Sequence, residues 1–306
     1  MANTARWIGL AVAAAAGALA VSRSGRARNR IVAARSPARA PIETRARNAR
    51  RDVNRAAALL ATAALADSGF EHYRGAFHNR TMYVPLGVAA LTLVASAREA
   101  ARPNGDAVRH DAVVDGLAIS TGVIGSAFHL YNVAKRPGGI SWLNLFYAAP
   151  LGAPAALSLA GLLRVMAHRL RDDGDLSSGR LLAALVAAGL LGTSAEAGLL
   201  HFRGAFHNPA MTIPVTIPPI AAALLARAAW TPRGRHPMTR WSLRLLAAAG
   251  LLGAGFHAYG VERNMGGWRN WSQNLLNGPP LPAPPAFTAL ALAGLAALSL
   301  TEGDAA

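Results

Sequence analysis

The residues with the clearest capacity for chemistry are histidines that recur in matched surroundings. His72-Tyr73-Arg74-Gly75-Ala76-Phe77-His78-Asn79 returns as His201-Phe202-Arg203-Gly204-Ala205-Phe206-His207-Asn208, and the match runs on through Met82/Met211 and Pro85/Pro214. Phe128-His129-x-Tyr131-x-Val133 returns as Phe256-His257-x-Tyr259-x-Val261. The two pairs are offset by 129 and 128 residues, so a single duplication accounts for both. Later features follow at offsets of 128 and 130: Gly138-Gly139 with Gly266-Gly267, Asn144-Leu145 with Asn274-Leu275, and Pro150-Leu-x-Ala-Pro154 with Pro280-Leu-x-Ala-Pro284.

Imidazole is a common metal ligand and the axial ligand of b-type haem. Two ligand sets follow from the spacing. In one, His72, His129, His201 and His257 form two bis-histidine sites for haem b, and Arg74 and Arg203, two residues further on, hold its propionates through charge-assisted hydrogen bonds. In the other, the same four histidines with His78 and His207 hold a non-haem transition metal. Asp67 and Glu196 stand five residues before His72 and His201. Five helical residues turn the chain by about 140°, so each acid faces a neighbouring helix rather than its own histidine. There it orients another imidazole or handles protons, and carboxylates inside a membrane span carry such roles by default. A purely architectural reading also exists, because a histidine in a last helical turn can interact with the free carbonyls there.

These side chains need helical hairpins to position them. Gly75 and Gly204 suit the left-handed residue that ends a helix. Asn79 and Asn208 suit the N-cap of the returning helix, and Pro209 its first position. Gly69, Gly125, Gly198, Gly253 and Gly255 lie within a turn of the histidines, which admits either a flat macrocycle or close helix packing. Tyr131, Tyr259, Trp142, Trp268 and Trp271 fit an interfacial aromatic belt.

Nine apolar stretches carry the hairpins, near 7–21, 56–72, 83–97, 112–130, 145–166, 181–201, 212–230, 243–258 and 284–300. Most approach the ~20 residues that span hydrocarbon. The expected fold is all-α: a polytopic membrane bundle of two tandem, parallel four-helix repeats, 56–177 and 178–301, giving eight core spans. A short anchor or interfacial helix at 1–21 precedes it. Residues 22–55 hold eleven arginines and hardly any large apolar side chain, and are expected to lie disordered or on the membrane surface.

Composition supports the membrane reading. The 306 residues are 53% apolar and 15% charged, against about 25% charged in a soluble domain. The net charge of +16 falls in the 22–55 segment and in short loops, which reads as topology signal and lipid contact rather than nucleic-acid binding. Positive charge puts the loops near 98–111, 164–180 and 227–244 in the cytoplasm and the histidine motifs on the periplasmic or outer side of an inner (plasma) membrane. The absence of cysteine excludes disulfides and thiolate metal sites. No Walker loop, G-x-S-x-G elbow or H-E-x-x-H is present. The expected function is an electron-transfer subunit between quinone and a periplasmic redox protein. A His-dependent membrane enzyme of oxygenase or hydrolase type, and a transporter built from parallel repeats, are the alternatives.

Overall fold

The computed structural model describes residues 42–102, 111–147, 150–172, 176–231 and 236–302, and every regular element in them is a helix. The anchor expected at 1–21 lies outside the described residues. In chain order the helices are α1 (Ile42–Arg74), α2 (Val84–Ala101), α3 (Asp111–Ala134), α4 (Trp142–Tyr147) and α5 (Gly152–Asp172), then α6 (Leu176–Arg203), α7 (Ile213–Trp230), α8 (Pro237–Glu262), α9 (Trp271–Asn277) and α10 (Pro285–Thr301).

Five of these segments are long and apolar enough to cross a membrane: Arg80–Ala101, Asp111–Ala134, Leu176–Arg203, Pro209–Trp230 and Pro237–Glu262. Their outward faces carry exposed Leu91, Val94, Val123, Leu191, Ile220 and Leu252. Exposed aliphatic side chains on this scale suit lipid contact. The other three long helices, α1, α5 and α10, line the centre. The α10 segment is short and almost wholly buried, from Ala286 to Thr301.

Residues 42–55 differ from expectation. They are not a disordered arm but the first turns of α1, and Ala49, Val53, Ala56, Ala57 and Leu60 are buried there. These small residues recur about once per turn, and that stripe packs on α5 and α10. The high arginine content hid the stripe. The boundary expected at 55/56 thus falls inside one continuous helix.

The same pairings occur in both halves of the chain. In the first, α1 packs on α2 and α5, and α3 on α5; in the second, α6 packs on α7 and α10, and α8 on α10. The halves meet where α10 packs on α1 and α5 on α6. Glycine permits the closest approaches: a Cβ on Gly122 would overlap the Pro154 carbonyl and Ser158, and one on Gly250 would overlap the Pro284 carbonyl and Thr288.

The hairpin turns also differ from expectation in one detail. Gly75 and Gly204 are not the left-handed residues. Positive φ falls on Ala76 (54°) and Phe77 (46°), and again on Ala205 (56°) and Phe206 (46°). The Phe77 N–H donates to the His72 carbonyl (3.0 Å) and the Ala76 N–H to the Tyr73 carbonyl (2.9 Å), the double bond of a Schellman ending. Glycine at 75 and 204 answers a different need, because a Cβ would press on the Met82 or Met211 methyl at 3.2 and 3.1 Å. Asn79 and Asn208 cap not the returning helices themselves but the short 3-10 turns that lead into them, Arg80–Tyr83 and Pro209–Thr212, accepting from Thr81 N (3.0 Å) and Ala210 N (2.9 Å).

Candidate functional site

Each of the four principal histidines ends an outgoing helix and reaches across its hairpin to a main-chain carbonyl. His72 Nδ1 donates to Met82 O (2.7 Å), His201 Nδ1 to Met211 O (3.0 Å) and His257 Nδ1 to Pro280 O (2.7 Å). His129 Nδ1 donates in the same way to Pro150 O. A carbonyl only accepts, so Nδ1 carries the proton in all four. In the neutral ring, Nε2 then keeps its lone pair. Metal-binding histidines are commonly held in this way, with one nitrogen donating to a carbonyl while the other ligates. All four rings are half-buried.

In the second half two of the rings lie close together. His201 and His257 have centroids 6.4 Å apart and planes 77° apart. A metal held between two imidazole nitrogens at about 2 Å each separates the ring centres by about 6 Å. In the first half, His129 is an electrostatic neighbour of His72 and also of Glu196. Among the described residues, no three His, Asp or Glu side chains come close enough together to share one metal ion. The arrangement offers one close imidazole pair, His201 with His257.

His78 and His207 stand apart from the other four. Both are exposed, and each bonds through Nδ1 to a carbonyl of its own turn, Gly75 O at 3.0 Å and Gly204 O at 3.1 Å. Their geometry is that of turn closure.

The two acids meet near the centre. Asp67 on α1 and Glu196 on α6 are electrostatic neighbours across the two halves. The Glu196 carboxylate accepts from the backbone N–H groups of Leu151 and Gly152, so it caps the start of α5. The rotation argued from sequence carries Glu196 to another helix, as expected.

The arginines are engaged otherwise. Arg74 pairs with Glu71 one turn back. Arg203 donates through Nη1 to Phe146 O (3.1 Å) and lies over the Tyr147 ring at 6.0 Å, while Phe202 stacks on Phe146 at 5.2 Å. Arg203 thus pins α4 to the end of α6. Of the glycines, Gly125 and Gly253 pack against Pro154 and Pro284, whereas Gly69 and Gly255 have open space where a Cβ would be. The chain matches no family model, no curated protein and no solved structure.

Two features escaped the sequence reading. Asn144 Nδ2 donates to Pro137 O (3.0 Å) and Gly139 O (2.7 Å), and Asn274 Nδ2 to Met265 O (3.3 Å) and Gly267 O (2.8 Å). The repeated asparagine therefore ties down the repeated Gly-Gly turn, whose glycines all have positive φ. The second feature is a buried charge cluster at the opposite end of the bundle. Arg164 is fully buried and pairs with Asp115 and with Asp111 (3.3 Å). His168 Nε2 lies 3.1 Å from Asp115 Oδ2. Its only signal in the sequence was that Asp115 has no acidic counterpart in the second copy.

Proposed function

We propose that the protein is an integral membrane electron-transfer subunit that holds b-type haem between paired histidines. The observation that carries this reading is the fourfold Nδ1–carbonyl clasp, which presents an Nε2 lone pair at the end of every outgoing helix, together with the 6.4 Å separation of His201 and His257. Two ligands suffice for haem, whereas an oxygenase or hydrolase centre needs three or more protein groups on its metal. The paired arrangement accordingly favours haem over the metal-enzyme alternative. In this reading, His72 with His129 and His201 with His257 would hold the haem iron through their Nε2 atoms. Open space at Gly69 and Gly255 leaves room for a flat ring. Haem supplies one-electron chemistry, and Asp67 and Glu196 handle the protons of a quinol.

The architecture that goes with it is eight spans in two tandem, parallel four-helix units. The matched pairings of α1–α5 and α6–α10 support that count, as does the continuity of the sequence repeat. The arginine-rich end lies in the cytoplasm and the histidine end faces the periplasm, where a redox protein exchanges electrons. Arg203, tied to the Phe146 carbonyl, braces the site in this reading, and Arg74 would hold a propionate only by giving up its pairing with Glu71.

The test is the absorption spectrum of the purified full-length chain with metal analysis. The expected protein is red, with a Soret band that shifts on dithionite reduction and about two irons per chain. A colourless protein with stoichiometric zinc, copper or iron moves the reading to a metal enzyme. A colourless, metal-free protein sinks both.

A further inference from the structure

The two halves are built alike but filled differently, most clearly toward the arginine-rich end, where the buried polar side chains of the second half are, among the described residues, the hydroxyls of Ser178, Thr239 and Thr301. In the first half the buried positions there are polar: Asn54, Thr92, Ser96, Glu99, Asp115 and Arg164. At the offset of the repeat the second half has Ala183, Ala221, Leu225, Ala228, Leu243 and Gly294, all equally buried. A bundle of this shape therefore packs with small and apolar residues at every one of these positions. Packing does not require the polar set, and burying it in a membrane bundle is costly.

The polar groups are also incompletely satisfied. Arg164 Nη1 and Asn54 Oδ1 are buried without a hydrogen-bond partner, a donor and an acceptor respectively. Such atoms in a polar interior are where buried water sits. The groups extend along the bundle rather than clustering at one depth. By helical rise, Glu99, Ser96 and Thr92 lie about 22, 18 and 12 Å from the start of α2 at the histidine end, and Asp67 about 10 Å from the end of α1. The two helices pack on each other, so the series from Glu99 leads to the depth of Asp67.

The charge balance identifies what such a path carries. Asp111 and Asp115 on α3 face Arg164, leaving one excess negative charge unless His168 holds a proton. Of the other elements packed on α5, α1 brings buried Arg50 and α2 buried Glu99, one charge of each sign, and α6 brings Ser178, with its Arg180 donating to the Ala229 carbonyl on α7. His168 is partly exposed. It is the member of this cluster that meets the surface.

We propose that the polar interior of the first half is a hydrated proton path, entered at His168 and Asp115 from the arginine-rich end and leading past Ser96 and Thr92 toward Asp67. It stands independently of what the four clasped histidines bind. The positions in the second half that correspond to Asn54, Thr92, Ser96, Glu99, Asp115 and Arg164 are small or apolar.

The chain has no cysteine, so single thiols report the hydration of each position directly. Ser96→Cys and Thr92→Cys in the first half are compared with Leu225→Cys and Ala221→Cys in the second, in the purified full-length protein. Each is exposed to a cationic and an anionic methanethiosulfonate reagent. Thiols react as thiolates, which need water, so the first pair is expected to react at least roughly tenfold faster than the second, and faster with the cationic reagent. Introducing the second-half residues, Asp111→Thr, Asp115→Leu and Arg164→Gly together, removes both carboxylates with their arginine; it is expected to leave a folded protein and to slow Ser96→Cys to the rate of Leu225→Cys. Equal rates at all four positions overturn the proposal. So does a preference for the anionic reagent, an unchanged Ser96→Cys rate in the triple variant, or protection of the thiols by sodium, which would make a metal ion the occupant.

Discussion

At the scale of single residues, the clasped histidine has two separable parts, and one substitution tells them apart. Asparagine reproduces the Nδ1 donor but has nothing in place of Nε2. His201→Asn is therefore expected to keep the bond to Met211 O and to melt within a few degrees of the parent protein while losing the ligand of its pair. His201→Ala removes both, and is expected to cost a further 1 kcal/mol or so of stability for the lost hydrogen bond. Thermal melts read alongside the absorption spectrum check this. If His201→Asn keeps the full spectrum, the ring has only an architectural role. Arg74 gives a contrasting expectation: its pairing with Glu71 is solvent-exposed, so Arg74→Ala is expected to shift stability by less than about 1 kcal/mol in the same melts. The identity of the four histidines was legible in the sequence because duplication repeated them. Their clasps were not, since Met82, Pro150, Met211 and Pro280 act through backbone atoms that leave no mark on residue type.

At the scale of elements, the hairpins store strain where glycine is absent. Ala76 and Ala205 sit at the left-handed position of a Schellman ending, where glycine is the usual residue and a Cβ costs about 1–2 kcal/mol. Ala76→Gly and Ala205→Gly are each expected to stabilise the protein, by about 0.5 kcal/mol after the extra freedom of glycine in the unfolded chain is set against the relief. The stacking of Phe77 on Tyr83 at 4.4 Å helps hold the strained turn in place. The opposite change at helix contacts goes the other way. Gly122→Ala and Gly250→Ala drive a methyl into the carbonyls of Pro154 and Pro284, and each is expected to destabilise by about 1–3 kcal/mol, visible as a lower melting temperature. The hairpins themselves were readable from Gly, Asn and Pro. Which residue took the positive φ was not, because a Schellman ending requires its left-handed residue at a fixed place from the last helical bond, and glycine at 75 is retained for the approach of Met82 instead.

At the scale of the whole molecule, the sequence repeat and the charge distribution bear on one question, which ends of the helices face which compartment. The repeat spaces its two copies by an even number of long helices, so both histidine pairs lie at the same end of the bundle. Arg74, Arg80, Lys135, Arg136, Arg203, Arg263 and Arg269 are the basic residues of that end, fewer than the opposite end carries. Three of the eight long helices, α1, α5 and α10, are too short or too polar to be counted as spans by composition alone, and their place in the bundle follows from packing. Apolarity marks helices that face lipid, whereas a helix enclosed by other helices needs only small residues, as α10 with its alanines illustrates. If α1 and α5 nevertheless cross, alternating reporters along the chain must alternate in activity. Alkaline phosphatase fused after Gly139 is expected to be active, since that turn lies at the histidine end, which the proposed orientation puts outside the cytoplasm. The same enzyme fused after Asp172 is expected to be inactive and green fluorescent protein there to fluoresce, because α5 returns the chain to the arginine-rich end. Activity of phosphatase at both sites would mean that α5 does not cross, and the count of eight would fall with it.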